Sequence, residues 1–188
     1  RMTSLVGDLL LLARLDSGRP LEQEPVDLSA LAVDAVSDAH VAGPEHDWRL
    51  RVGDEPVVVI GDGARLHQVL VNLLANARTH TPPGTTITVD VEAVGTTAVL
   101  RVADDGPGIG PRQATRIFEP FYSTKETGLG LGLVVSRRIC RSHGGELMLE
   151  RGDYTGAILV MELPLPNGDE PVSIAATASN ESKANELS

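Results

Sequence analysis

The amino-acid sequence predicts an α/β protein, a two-layer α/β sandwich in which a mixed, mostly antiparallel sheet is covered by helices on one face. Three observations lead there. Stretches with apolar residues three and four apart alternate with β-rich runs in the order helix, two strands, helix, two strands, helix, two strands. The strands come in pairs, where a doubly wound parallel sheet would set single strands between helices. Finally, 41% apolar residues over 188 positions are enough for one core of ordinary size, and there is no internal repeat.

The elements follow in order. Met2, Leu5, Leu9 and Leu12 make residues 1–16 an amphipathic helix that needs a partner, within a unit spanning 1–18. Gly18 and Pro20 stop it, and 19–26 reads as a linker to the main domain, 27–165. Asp27 is an N-cap for a helix over 28–42, which Gly43-Pro44 ends. Strands are expected at 47–53 and 56–60, then a Gly61-Asp62-Gly63 turn capping a helix over about 64–80. Leu66, Val69, Leu70, Leu73, Leu74 and Ala77 are its buried stripe, while Gln68, Asn72 and Asn76 step along another face. Strands at 86–94 and 97–103, a helix at about 130–142 and a hairpin of 146–151 with 156–163 around Gly152-Asp153 complete the domain. Residues 166–188 are small and polar and read as a disordered tail.

Composition removes several functions. A net charge of −10 and a pI near 4.9 argue against nucleic acid as a partner, because phosphate backbones are bound by clustered Lys and Arg. The single cysteine, Cys140, rules out a disulfide framework and suits a reducing, cytoplasmic compartment. No apolar run approaches the roughly 18 residues of a membrane span, and no signal peptide opens the sequence. Arg1 falls inside a periodic apolar pattern, so the expectation is a piece cut from a longer protein.

Three segments carry the chemistry: Asn72 and Asn76 in NLLAN, Asp104 to Gly108 in DDGPG, and Gly128 to Leu133 in GLGLGL. Each alone is weak, since glycines close turns and amides decorate solvated helices. In this order they describe a nucleotide pocket. Asp104, at a strand end before Gly106 and Gly108, can accept a hydrogen bond from an exocyclic amine, which favours adenine over guanine. The glycines at 128, 130 and 132 precede a helix whose first N–H groups and macrodipole suit phosphate oxygens. The amide oxygens of Asn72 and Asn76, one turn apart, suit Mg²⁺, a hard ion that prefers oxygen.

With these residues in place, the segments DGARLHQVLVNLLANARTHTPPG (62–84), VADDGPGI (102–109), IFEPF (117–121) and GLGLGLVVSRRICRSHGG (128–145) resemble the asparagine, first glycine, phenylalanine and second glycine boxes of bacterial sensor histidine kinases. All four occur in order, over about 26–165. The resemblance implies the C-terminal catalytic domain of such a kinase, with Mg²⁺ and ATP as cofactor and substrate. It places Mg²⁺ and phosphates at Asn72 and Asn76, adenine at Asp104, Gly106, Gly108 and Ile109, and phosphates and the lid hinge at Gly128, Leu129, Gly130, Leu131 and Gly132. Residues of about 110–127 become an ATP lid with Phe118 and Phe121 as apolar anchor and Lys125 within reach of phosphate. Residues 1–18 resemble the end of the second helix of a dimerisation and phosphotransfer domain, so the implied partners are that domain and a response-regulator receiver domain, in a homodimeric parent with room for an inner-membrane anchor elsewhere.

Departures from the pattern sharpen this. Many relatives carry Lys or Arg three residues after the second asparagine; Thr79 stands there, with Arg78 one place earlier. The lid FEPFYSTKETG resembles a short-lid nitrogen-regulation branch, whereas NLLANARTHTPPG is similar to the branch that pairs with winged-helix regulators. Gyrase-type, chaperone and serine-kinase members of the superfamily place a Glu four residues before the magnesium asparagine as general base; here that position is Asn72, which cannot take a proton. Hydrolysis and serine phosphorylation are disfavoured, and transfer to a neutral imidazole fits better. None of His40, His46, His67, His80 and His143 follows the acceptor pattern, so the acceptor is expected on the missing domain. The alternative is a non-catalytic ATP-sensing or interaction module that has kept the pocket.

Overall fold

The computed structural model describes residues 22–123, 130–150 and 155–166. The expected helix over 1–16, the Gly152-Asp153 turn and the tail from 167 on lie outside them.

Asp27 ends strand β1 (Glu24–Asp27) and caps helix α1 (Leu28–Ala42), its Oδ1 accepting from the Ser29 and Ala30 N–H groups at 2.8 and 3.3 Å. Strands β2 (Asp47–Val52) and β3 (Val58–Gly61) lead to α2 (Gly63–His80), where Asp62 Oδ1 accepts from Arg65 N at 3.0 Å. A hairpin of β4 (Thr86–Val94) and β5 (Thr97–Asp104), a short helix α3 (Pro111–Ala114), α4 (Gly132–Ser142) and a second hairpin of β6 (Glu146–Glu150) and β7 (Ala157–Pro164) complete the order.

The main sheet runs β2-β4-β5-β7-β6; β2 is parallel to β4 and every other pair is antiparallel. Alternation along each strand turns Ile87, Val89 and Val91, then Leu100 and Val102, then Leu147, then Leu159, Met161 and Leu163 into one core with α1, α2 and α4. The α2 stripe of Leu66, Val69, Leu70 and Leu73 is fully buried, each such side chain being worth about 1.5–3 kcal/mol relative to exposure. The opposite face of the sheet carries Asp90, Glu92 and Arg101, with Arg101 paired to Glu92. The sandwich is therefore the one expected, with helices on one side only.

Two expectations at the N-terminal end are corrected. The segment read as a linker contains β1, which pairs antiparallel with β3 from Glu24↔Gly61 to Asp27↔Val58. Four residues with a proline have no readable period; their partner makes them a strand, and Val26 packs on the core. The runs 47–53 and 56–60 also do not pair with each other. β2 joins the main sheet beside β4, while β3 forms a separate two-stranded ribbon with β1. Among the described residues no helix is long and apolar enough to cross a membrane.

Candidate nucleotide-binding site

The strand alternation that buries Leu100 and Val102 also aims Asp104, the last residue of β5, toward the helix-covered side. The chain must turn at once, and the next residue drives the turn. Asp105 Oδ1 accepts from Thr86 N at 2.8 Å while its own N–H donates to Thr86 O at 3.2 Å, which locks the turn onto the start of β4. Asp104 is left half-buried, its Oδ1 accepting from Gly106 N at 3.0 Å. Burial pushes the Asp104 carboxyl above the usual carboxylate range, against the pull of the Gly106 and Ala157 N–H groups and with a further push from the Asp105 charge. A carboxylate held partly out of water is an acceptor seeking a donor.

The turn has no room for side chains. A Cβ on Gly106 would lie 2.6 Å from Thr81 Cγ2, and one on Gly108, at φ 73°, would lie 2.7 Å from the Gly156 carbonyl oxygen. Thr81, just past the end of α2, was not singled out by the sequence. Its hydroxyl donates to Ala77 O at 2.7 Å and so accepts from Nε2 of buried His46 at 3.1 Å. The contact puts the C-terminal end of α2 against the glycine turn that carries Asp104.

More than two turns back along α2, the helix touches the second glycine segment. Asn72 Nδ2 donates to Ser136 Oγ at 3.2 Å and reaches Gly132 O at 3.4 Å. Ser136 is fully buried, a polar residue on the core side of α4 that sequence reading also missed; the clue was a serine between Val135 and Ile139 on an apolar stripe. Asn76 is partly exposed and its side chain makes no hydrogen bond among the described residues, so both its polar atoms are available. The two amides therefore differ: Asn72 spends its nitrogen on α4 and keeps its oxygen, and Asn76 keeps both. No cluster of three or more His, Cys, Asp or Glu side chains that could hold a metal occurs among the described residues.

Helix α4 starts with no side-chain cap, which leaves its first-turn N–H groups without an intrahelical or capping partner. Leu131, fully buried, pins this start, and Gly132 opens the helix. Gly130, at φ 65°, has a reason of its own: a Cβ there would collide with the Tyr122 backbone. The two ends of the segment 124–129 are thus brought together, although Lys125, Gly128 and Leu129 themselves lie outside the described residues. Ile109 is half-buried beside the turn.

The expected apolar anchor divides. Phe118 packs on the core and lies under the Arg137 guanidinium, 4.7 Å from ring centroid to Cζ, whereas Phe121, at φ 63°, is 68% exposed and is not among the described residues that pack on the core. The basic residue next to the usual position is also accounted for. Arg78 Nη1 donates to Ala42 O at 2.7 Å and its stem fills the space beside Gly43, so it ties α2 to the end of α1. Thr79 turns its hydroxyl back to Ala75 O.

Comparison with known proteins agrees with this geometry. The profile described as "Histidine kinase-, DNA gyrase B-, and HSP90-like ATPase" matches residues 61–167. The chain is 55% identical, over 92% of its length, to the probable sensor histidine kinase TcrY of Mycobacterium tuberculosis and 44% identical, over 81%, to the sensor histidine kinase TrcS of the same organism. It spans 37% and 32% of the lengths of those relatives. Among solved structures, the mycobacterial sensor histidine kinase MprB superposes with a TM-score of 0.68 at 28% identity, covering 76% of this chain and 97% of that one. Full-length ShkA in complex with AMPPNP superposes at 0.75 and 29% identity, over 87% of this chain and 35% of that one. The chain belongs to the histidine kinase-, DNA gyrase B-, and HSP90-like ATPase family, as an ATP-binding catalytic domain of the bacterial sensor histidine kinase type.

Proposed function

We propose that this domain binds Mg·ATP and transfers the γ-phosphoryl group to a histidine on a dimerisation domain, from which a response-regulator aspartate takes it. The observation that carries the reading is the reach of α2: its Thr81 end abuts the Asp104 turn while Asn72 grips the uncapped start of α4. A base and a triphosphate need those two ends in one cleft. In this reading Asp104 accepts from the adenine amine, and Gly106, Gly108 and Ile109 give the flat base room. The first-turn N–H groups of α4, from Gly132 on, meet phosphate oxygens. Lys125, Gly128 and Leu129 supply the remaining phosphate contacts.

The donor set fits magnesium. Asn76 offers an uncommitted amide oxygen and Asn72 a second, and a hard cation completes its shell with phosphates and water. When bound it would neutralise developing charge on the phosphates. Transfer then forms a bond from an imidazole nitrogen to the γ-phosphorus as the bond to the β-phosphate oxygen breaks, releasing ADP. An amide at position 72 is no base for water, which protects the ATP from hydrolysis.

The acceptor lies elsewhere. His46 and His143 are buried, and His143 is fully committed: Nδ1 donates to Ile139 O at 2.8 Å and Nε2 accepts from Asp62 N at 3.0 Å. ShkA, with AMPPNP bound in its full-length structure, is a precedent for nucleotide in this fold. Residues 1–18 are proposed as the end of the dimerisation helix, in a homodimeric parent.

The test supplies the isolated chain with radiolabelled Mg·ATP, alone and with a dimerisation domain that carries the acceptor histidine. Acid-labile label on the added domain only is expected. Stable label on the isolated chain would place the acceptor here, and tight ATP binding with no transfer would leave an ATP-sensing module.

A further inference from the structure

Arg137 lies five residues past Gly132 on α4, within the segment 128–145 but given no role above, and its guanidinium is held from two sides. Its guanidinium covers the Phe118 ring at 4.7 Å. From behind, Nε donates to Glu146 Oε1 at 2.8 Å, and Glu146, at the start of β6, also takes hydrogen bonds from Arg141 Nη2 at 3.0 Å and from its neighbour Leu147 N at 3.0 Å. Arg137 is thus clamped between a strand of the sheet and an aromatic ring of the segment 110–122.

Within that segment, Arg116 stacks on Tyr122 at 4.4 Å and pairs with Glu119 at 2.8 Å, contacts that stiffen it internally without attaching it to the domain. It packs on the core through Ile117 and Phe118, meets α4 where Phe118 lies under Arg137, and meets the residue before the N-cap of α4 where Tyr122 lies against Gly130. The Gly130 contact is backbone on backbone and independent of side-chain chemistry. The Phe118 contact with Arg137 is controlled by side chains and lies on α4 itself.

We propose that Arg137 is a positioning residue of the nucleotide site: stacked on Phe118 and braced by Glu146, it fixes the base of the lid on α4 and so sets how long the triphosphate is retained. The proposal rests on the reading that the cleft takes ATP. A guanidinium does this better than an ammonium, because its plane stacks on the ring while its edge keeps the carboxylate. Glu146 stays ionised at physiological pH: burial pushes its carboxyl up, but the hydrogen bonds from Arg137, Arg141 and the Leu147 N–H bring it down to about 2. The brace therefore does not change between about pH 5 and pH 8, the span over which a histidine-based device would switch.

The experiment measures release of a fluorescent ATP analogue with Mg²⁺ by stopped flow, and equilibrium binding of the matching adenosine analogue. Arg137→Ala is expected to release the ATP analogue roughly tenfold faster, with adenosine affinity unchanged. Arg137→Lys should recover part of the loss, and Phe118→Leu combined with Arg137→Ala should be no faster than either alone, because both remove one contact. Should Arg137→Ala fail to fold, Glu146→Gln loosens the same brace and is expected to accelerate release in the same direction. Unchanged release, equal loss for adenosine, or multiplicative effects in the double variant would overturn the proposal. A wild-type chain that binds neither analogue would instead overturn the ATP reading, and the lid proposal with it.

Discussion

The two ends of the cleft are built differently. At the end proposed for adenine, the contacts are made to backbone: Gly108 against the Gly156 carbonyl, Asp105 bonded to Thr86 through both its carboxylate and its N–H, and Gly106 against the Thr81 side chain. At the end proposed for the phosphates, side chains do the joining: Asn72 to Ser136, Phe118 to Arg137, Arg137 to Glu146. Such contacts can open and re-form at a cost of about 1–2 kcal/mol each. A kinase domain needs this inequality. It must recognise the base in a fixed frame yet release ADP after each transfer, so the adjustable contacts belong beside the phosphates.

The largest effect that would break the comparison is at the rigid end. Asp104→Asn sets an amide donor against the adenine amine, and ATP affinity is expected to fall at least tenfold, about 1–3 kcal/mol, by calorimetry. Stability should move the other way. Because burial raises the Asp104 carboxyl, the protonated side chain suits the fold: its contribution is fully present below the unfolded pKa and is lost as pH rises through the raised folded-state value, so the ionised group burdens the fold at neutral pH. The nucleotide-free Asn variant should therefore melt about 1–2 °C higher than wild type. A variant that binds ATP normally would remove Asp104 from the base site.

The next effect sharpens the adjustable end. Asn76→Ala deletes the uncommitted amide and should weaken ATP binding roughly tenfold in Mg²⁺ and by less than about twofold in EDTA. Asn72→Ala differs, because it also removes the grip on Ser136 and Gly132. Equal loss for Asn76→Ala with and without the metal would assign Asn76 to structure.

How much of this was legible follows the same division. Helix α2 was readable nearly to the residue, since Leu66 through Ala77 recur at helical spacing and Asp62 is a cap by composition. The place of Asp104 was readable, at the end of a strand and just before a glycine turn. Strand β1 was not, as its stability comes from β3 more than thirty residues away. Nor was the division of labour between Phe118 and Phe121, three residues apart in an identical Phe-rich context, because which ring finds Arg137 depends on how the turn at 115–121 packs on α4. Ser136, Thr81 and Arg137 share that property: each matters through a partner distant in sequence, and no local pattern encodes the partner.

The smallest effect concerns Glu146, the brace common to α4 and β6. Its carboxyl, brought down to about 2 from an ordinary 4.5, stabilises the fold fully above pH 4.5, and that stabilisation is lost as pH falls toward 2. The group is a third exposed, so solvent screening limits the network to about 1 kcal/mol. Chemical denaturation of wild type and Glu146→Gln should therefore differ by about that amount at pH 7. The gap should close between pH 4.5 and pH 2, as the wild-type carboxyl takes up its proton. A gap that persists at pH 2 would mean that Glu146 acts through packing and that its charge does not hold Arg137. The guanidinium over Phe118 would then be positioned by the aromatic ring alone, and the phosphate end of the cleft would depend on one fewer side-chain contact than its geometry indicates.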